Sequence, residues 1–362
     1  MSESSPVRSP DNPIRGKLKV FLGYAAGVGK TYQMLVDAHQ LKAEGIDIVI
    51  GYFEPHGRKD TIAKAEGLEH VPRRIVEHRG TRLEEMDTDA ILRRHPQVCV
   101  IDEFAHTNVP GSERNKRWED VMVIRAAGID VLTSLNVQHI ESLNDQVWQV
   151  TGIRVRETIP DWVVQEADDV VMVDVTPRAL LHRLERGVVY APDKAQRALE
   201  NFFTESNLTA LRELALRQAA HQIEDRREEE QVRSPSPVIP KLGSPRKERI
   251  LLWLTADPAT AMLIRRGRRV ADYLQSTCVA VAVVNGSSIE ERAAIERHLN
   301  FAKNMRIDTS SIEGRQPAAA VAEYARRNHI THVFVSAHVP DLHRLVRLLR
   351  DMQVTIVSER IR

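Results

Sequence analysis

The apolar positions of this chain fall into short, nearly unbroken runs: "LKVFLG" (18–23), "IDIVIGYF" (46–53), "VCVID" (98–102), "IDVLTSLN" (129–136) and "DVVMVDV" (169–175). Runs of Val, Ile and Leu without strict alternation predict strands buried on both faces, as in a mainly parallel sheet covered by helices. The stretch after the first run fits such a covering helix. Met34, Leu35, Ala38 and Leu41 share one helical face, and Gly45 is placed to end it.

The alternation breaks in "EDRREEEQVRSPSPVIPKLGSPRKER" (224–249), a charged run followed by four prolines. Proline fixes φ and removes backbone donors, so a linker is predicted over 232–247. Strand-like runs then resume at 249–255, 277–284, 306–308, 331–337 and 354–358, with helical patterns through 260–274, 288–302 and 318–328. The expected organisation is a disordered tail at 1–15, an α/β domain at 16–231 and a smaller α/β domain at 248–362.

Composition narrows this little. At 362 residues, 42% hydrophobic and 28% charged, the chain has material for roughly two or three ordinary soluble domains. The net charge is +1, so nothing global favours nucleic acid or an anionic membrane. Cys99 and Cys278 lie in separate apolar runs and form no disulfide framework. No run approaches the roughly 18 apolar residues of a membrane span, and the polar start lacks the apolar segment of a signal peptide. A cytoplasmic protein is expected.

The first strand runs into "GYAAGVGKTY" (23–32), where glycines precede Gly29-Lys30-Thr31. A phosphate loop needs backbone N–H groups turned inward at a helix N-terminus, a lysine for the β and γ phosphates, and a hydroxyl for magnesium. The expected contacts are Gly23, Ala26, Gly27, Val28, Gly29, Lys30, Thr31 and Tyr32. Tyr24 stands where the usual G-x-x-x-x-G-K-[ST] spacing has glycine. Gly23 one position earlier supplies the flexible entry, in a loop one residue longer, and the tyrosine is expected to bear on how tightly the mouth closes.

The run at 98–102 ends in Asp102-Glu103. A carboxylate at the end of a neighbouring strand can hold the magnesium with Thr31, and a following glutamate can polarise an attacking water. Asp102 is therefore the second magnesium-side residue and Glu103 the candidate catalytic group. Three further polar clusters follow strands, and ligands of open α/β sheets sit at such ends. They offer Glu54, His56, Arg58, His106, Asn108, Asn136, Gln138 and His139, with Gln138 or His139 placed to sense the γ-phosphate. The histidines lack metal-ligand spacing, so no zinc site is expected.

Longer stretches, "GKLKVFLGYAAGVGKTYQML", "GRKDT", "DEFAHTNVPGS", "AGIDVLTSLNVQHIESLND", "VTGIRVRETIPD" and "LTALRELALRQAA", resemble the N-terminal cytoplasmic region of the KdpD family of potassium-sensing histidine kinases, over about residues 16–225. The later domain resembles the Rossmann-like universal-stress-protein domain that follows in that family. The resemblance implies a P-loop NTPase-like domain that binds ATP and magnesium and regulates a high-affinity potassium system, with a histidine kinase core, a response regulator or the potassium transporter as partner. The membrane spans and kinase core of full-length members have no counterpart before the chain ends at "VSERIR". At most a slow ATPase or a protein phosphotransferase is expected of it, with a nucleotide-free scaffold as the remaining alternative.

The second domain departs from the patterns that the resemblance implies. "VSAHVPDLHRLVRLL" holds none of the glycines of ATP-binding stress proteins. The places matching the cyclic di-AMP motifs of the family read Thr255-Ala256-Asp257 and Cys278-Val279-Ala280-Val281-Ala282. ATP binding is not expected there, binding of cyclic di-AMP is expected to be weak or absent, and protein–protein contact or dimerisation is the expected role.

Overall fold

The computed structural model describes residues 15–187, 189, 202–233, 248–284 and 288–358; for 221–233 it describes the backbone only. Residues 1–14 of the expected tail and 234–247 of the expected linker lie outside the described residues. The chain divides into two compact units, one made of residues up to 159 and 163–234, the other of 160–162 and 235 onward.

In the first unit, strands β1 (Leu18–Gly23), β2 (Ile48–Tyr52), β3 (Glu69–His70), β6 (Val98–Ile101), β7 (Asp130–Asn136) and β8 (Asp169–Met172) form one sheet in the order β3-β2-β6-β7-β1-β8. Every pairing within it is parallel. All residues of β2 and β6 are buried, as continuous apolar runs require when helices cover both faces. Helix α1 (Lys30–Ala43) lays Met34, Leu35 and Ala38 against Phe21, Ile50 and Val100. Helices α2 (Lys59–Ala65), α3 (Thr88–Arg94), α4 (Arg117–Ala126), α5 (Asn144–Thr151), α6 (Asp161–Gln165), α7 (Pro177–Glu185) and α8 (Glu205–Arg233) follow in chain order.

The topology places the candidate chemistry. Strand β7 lies between β1 and β6, so the loop after β1 and the carboxylates after β6 face each other across the end of β7. Register confirms the alignment of these ends, with Gly23 beside Asn136 and Ile101 beside Thr133.

Strands β4 (Arg74–His78) and β5 (Thr81–Glu85) form a separate antiparallel hairpin that the apolar pattern does not announce. Most of its side chains are exposed or half-buried, Ile75 at 54%, so burial leaves no periodic signature in it. Helix α3 was equally silent as a run of apolar residues; its start is fixed by Asp87, which accepts from the Ala90 amide at 2.8 Å.

The second unit is a five-stranded parallel sheet, β9 (Arg249–Leu254), β10 (Thr277–Val283), β11 (Asp308–Ile312), β12 (His332–Ser336) and β13 (Gln353–Val357), in the order β11-β10-β9-β12-β13. Four helices join these strands: α9 (Thr260–Tyr273), α10 (Ile289–Asn304), α11 (Pro317–Arg327) and α12 (Leu342–Leu348). Along β9 the side chains alternate between two cores. Ile250, Leu252 and Leu254 meet α9 and α10, while Leu251 and Trp253 meet α11. The strand expected at 306–308 instead runs Asp308–Ile312, because it is an edge strand whose polar Thr and Ser residues suit half-exposure. No helix among the described residues is long and apolar enough to cross a membrane.

Gly267 in α9 lies so close to β9 that a Cβ there would overlap Leu252 Cδ2. Alanine favours an isolated helix over glycine by about 1 kcal/mol, but overpacking a core costs about 1–3 kcal/mol. Gly267→Ala is therefore expected to lower the thermal midpoint of the full chain; a raised midpoint would show that the helix stands further from the sheet.

Candidate functional site

The loop after β1 is shaped by close approach at its entry and by left-handed backbone further on. A Cβ on Gly23 would lie 2.6 Å from Val28 Cγ2 and 2.9 Å from Lys30 Cδ, so only glycine lets the lysine stem cross the strand end. Gly27 (φ 90°) and Gly29 (φ 110°) adopt the left-handed conformation that glycine tolerates, and Gly29 caps α1. Tyr24 does not stand at the mouth. It is fully buried, lines neither cavity of the site, and donates its hydroxyl to the Val175 carbonyl at 3.0 Å. Burial, aided by Asp174, pushes its phenol up to about 12, so it remains a neutral donor.

Lys30 and Thr31 open α1 and are both buried. Lys30 Nζ donates to the Ala25 carbonyl at 3.1 Å, folding back over its own loop. Burial lowers its ammonium to about 8, with Asp102 opposing and Arg58 assisting that shift. Thr31 Oγ1 lies 3.3 and 3.2 Å from the two carboxylate oxygens of Asp102. The Ser134 hydroxyl, from β7 between them, donates to Asp102 Oδ1. Burial raises the Asp102 carboxyl above its ordinary range, against the opposing influence of Ser134 and Lys30.

Glu103 follows with a left-handed backbone (φ 58°). Its carboxylate meets His56 Nε2 at 3.1 Å and Arg117 Nη1 at 3.6 Å. Burial alone would raise its pKa, but His56 and Arg117 hold it below the ordinary value, and the same contact with Glu103 raises that of His56. Arg117 is wholly buried: it donates to Glu85 Oε1 at 2.7 Å and to the Asp102 carbonyl at 3.3 Å, and its guanidinium lies 3.5 Å from the centre of the Tyr52 ring.

Two cavities flank the loop. The smaller, about 110 Å³, gathers Ala26, Lys30, Thr31, Asp102 and Glu103 with Ser134, Asn136, His139 and Glu157. The larger, about 1190 Å³, runs along Gly27 to Gly29 and Thr31 to Gln33, opposite Lys59, Lys64 and Arg183. Thr31 and Arg58 line both. His56 and His106 also reach the smaller cavity, whereas Gln138 lines neither; within the 3-10 turn Val137–His139 it is His139 that faces the space. Asn108 serves structure, donating to Arg114 O at 3.1 Å and Asp120 Oδ2 at 2.6 Å. Glu54 sits 3.5 Å from Arg73 and lines neither cavity.

Sequence reasoning missed Arg183, Ser134, Arg117 and Glu157. Arg183 of α7 donates to the carbonyls of Gly27 and Val28 at 3.2 and 3.3 Å, bracing the loop from more than 150 positions away. No local pattern signals such a contact. Ser134 had a signal: it lies near the end of β7, the strand that pairs with the one Asp102 follows.

In the second unit, Asp257 after β9 accepts from the Ser336 hydroxyl and lies 2.9 Å from His338 Nδ1 after β12. Thr255 pairs with the Thr260 hydroxyl at 3.3 Å. Ala280 is fully buried inside β10, within the core that packs against α9 and α10.

The family described as "Osmosensitive K+ channel His kinase sensor domain", KdpD, matches residues 14–223. The chain belongs to the KdpD family. It is 44% identical over 372 aligned positions to the putative sensor protein KdpD of Synechocystis sp., covering 99% of this chain and 98% of that protein. With the sensor protein KdpD of Escherichia coli it shares 44% identity over 360 positions, 96% of this chain but 40% of the relative. This chain thus spans nearly all of one KdpD protein and less than half of the other. A universal stress protein family structure from Burkholderia pseudomallei aligns with 31% of the chain at 18% identity and a TM-score of 0.26, covering 96% of its own length. That likeness is too slight to carry an argument.

The buried pair of Arg117 and Glu85 makes the KdpD site sensitive to both partners. Removing one partner of a buried ion pair costs about 3–5 kcal/mol, so Arg117→Met should lower urea-unfolding stability by that much. Burial would raise the Glu85 carboxyl, but His106, Arg117 and the Met86 amide hold it at about 2. Its stabilising contribution is complete above the ordinary value of 4.5 and is lost as pH falls toward 2. Glu85→Gln should flatten the stability curve over that window; an unchanged acid limb would contradict the pairing.

Proposed function

We propose that the chain is a nucleotide-binding regulatory module of the potassium-responsive Kdp system, working in the cytoplasm. ATP with magnesium sets the conformation it offers to a histidine kinase core, a response regulator or the potassium transporter. The observation that carries this reading is the meeting of Thr31 and Asp102, a hydroxyl and a buried carboxylate within 3.3 Å of each other beside buried Lys30.

Hydroxyl and carboxylate oxygens are hard donors, and few of them are needed when phosphates and water complete the shell, so the pair suits magnesium. Bound there, the ion neutralises charge on the β and γ phosphates. The amides from Gly27 to Thr31 cradle the phosphates at the start of α1, and Lys30 exchanges the Ala25 carbonyl for phosphate oxygen. Because Thr31 and Arg58 line both cavities, the terminal phosphate belongs in the smaller and the nucleoside in the larger, near Tyr32. The second unit serves protein contact: of the places that match the cyclic di-AMP motifs, only Ala280 and the Thr255 hydroxyl remain.

A second reading, transfer of the γ-phosphate to a protein hydroxyl, draws support from the smaller cavity, which extends past Asp102 to His56, His139 and Glu157. ATP labelled at the γ position separates the two. A sensing module leaves the label on ATP or releases it slowly as phosphate, while a transferase moves it to protein.

Lys30→Ala is expected to weaken Mg·ATP binding about 10–100-fold, the worth of one charge-assisted hydrogen bond. The ammonium titrates near 8 in the free protein, and a phosphate beside it favours the charged form. Binding at or just above that pH therefore takes up a proton, and affinity falls as pH rises through it. Calorimetry in buffers of different ionisation enthalpy should show this uptake in the native chain and lose it in Lys30→Ala; unchanged affinity in the variant would contradict the assignment.

A further inference from the structure

His139 lies on the wall of the smaller cavity, with Lys30, Thr31, Asp102 and Glu103 on the others. Only one ring nitrogen is engaged: Nδ1 lies 2.7 Å from the Glu157 carbonyl oxygen. A carbonyl accepts and cannot donate, so Nδ1 carries the proton. Burial lowers the pKa of the ring, outweighing the opposing backbone contact at Glu157, and keeps it neutral. Nε2 is then a lone-pair atom, and among the described residues it has no partner.

Glu103, the group first expected to activate water, is otherwise engaged. Its carboxylate is tied to His56 and faces Arg117, and both hold it in the ionised form. Efficient general bases titrate near the working pH, and a carboxylate held low accepts a proton poorly. Among the described residues that line the cavity, His139 thus offers a basic atom, Nε2, that is neutral and without a partner.

We propose that His139 is the general base of ATP hydrolysis at this loop, accepting through Nε2 the proton of the water that attacks the terminal phosphate. The inference rests on the reading of the loop as a Mg·ATP site. As the water oxygen bonds to Pγ, the bond from Pγ to the bridging oxygen breaks and its electron pair leaves with ADP. The proton goes to Nε2, and the imidazolium later returns it to solvent. The charged groups that act on the ring are Lys30 on α1, Glu103 after β6 and Glu157, and Asp102, His56, Arg58 and His106 line the same cavity. Nearby Lys30 disfavours protonation before the reaction, and the phosphate anion favours it during the step.

The test uses the full chain and His139→Asn, whose amide nitrogen takes the place of Nδ1 and retains a donor for the Glu157 carbonyl. Mg·ATP affinity, measured by calorimetry, should stay within about threefold, while phosphate release falls about 100-fold. In the native chain the rate should fall as pH drops below the ordinary histidine value of 6.5, and in His139→Asn it should be flat there. Nitrogen NMR of the ring at neutral pH should show Nδ1 protonated and Nε2 bare, a readout independent of turnover. A protonated Nε2, phosphate release unchanged in His139→Asn but lost in Glu103→Gln, or a native chain that binds Mg·ATP and releases no phosphate would each overturn the proposal. Failure of the native chain to bind Mg·ATP at all overturns the reading of the loop beneath it.

Discussion

A carboxylate and an ammonium, Asp102 after β6 and Lys30 at the start of α1, are buried on either side of the end of β7, and the arrangement around them follows from the cost of keeping them there. Taking charges out of water is expensive unless each finds partners. Asp102 gathers two hydroxyls, Thr31 and Ser134, and Lys30 turns to a carbonyl of its own loop. Those contacts fix the loop after β1, the end of β6 and the end of β7 relative to one another. The same burial pulls both groups toward their neutral forms, a strain that the proposed magnesium and phosphate would relieve together.

A second layer stiffens the first. Arg117 reaches the Asp102 carbonyl, Glu103 and Glu85, so the carboxylates after β6 are held from α4 and from the root of the β4–β5 hairpin. Arg183 holds the opposite rim of the loop through two of its carbonyls. Neither arginine has to touch a ligand to matter, because each removes freedom from a backbone segment that would otherwise have to be ordered on binding.

Much of this was legible in the sequence wherever a local rule decides the outcome. Continuous apolar runs marked β1, β2, β6 and β7 because their burial on both faces leaves no other pattern. The glycines before Lys30 marked the loop because left-handed backbone selects them. What remained hidden depends on distant partners. The side on which Tyr24 packs is set by Val175, and Arg117 is buried because Glu85 and Tyr52 surround it. Gln138 and His139 are adjacent in a 3-10 turn, where a change of one position swings the side chain by about a third of a turn, so sequence alone could not say which one enters the cavity. The hairpin escaped notice because its two faces are both largely exposed.

Nucleotide is expected to bind where the loop, Lys30, Thr31 and Asp102 meet. Backbone amide NMR of the full chain during titration with Mg·ATP tests it most directly, since each amide reports its own surroundings. The account predicts the largest shift changes from Gly27 to Tyr32 and at Asp102 and Glu103, with the amides of the second unit unmoved. Changes confined to the second unit, or none at saturating Mg·ATP, would contradict it.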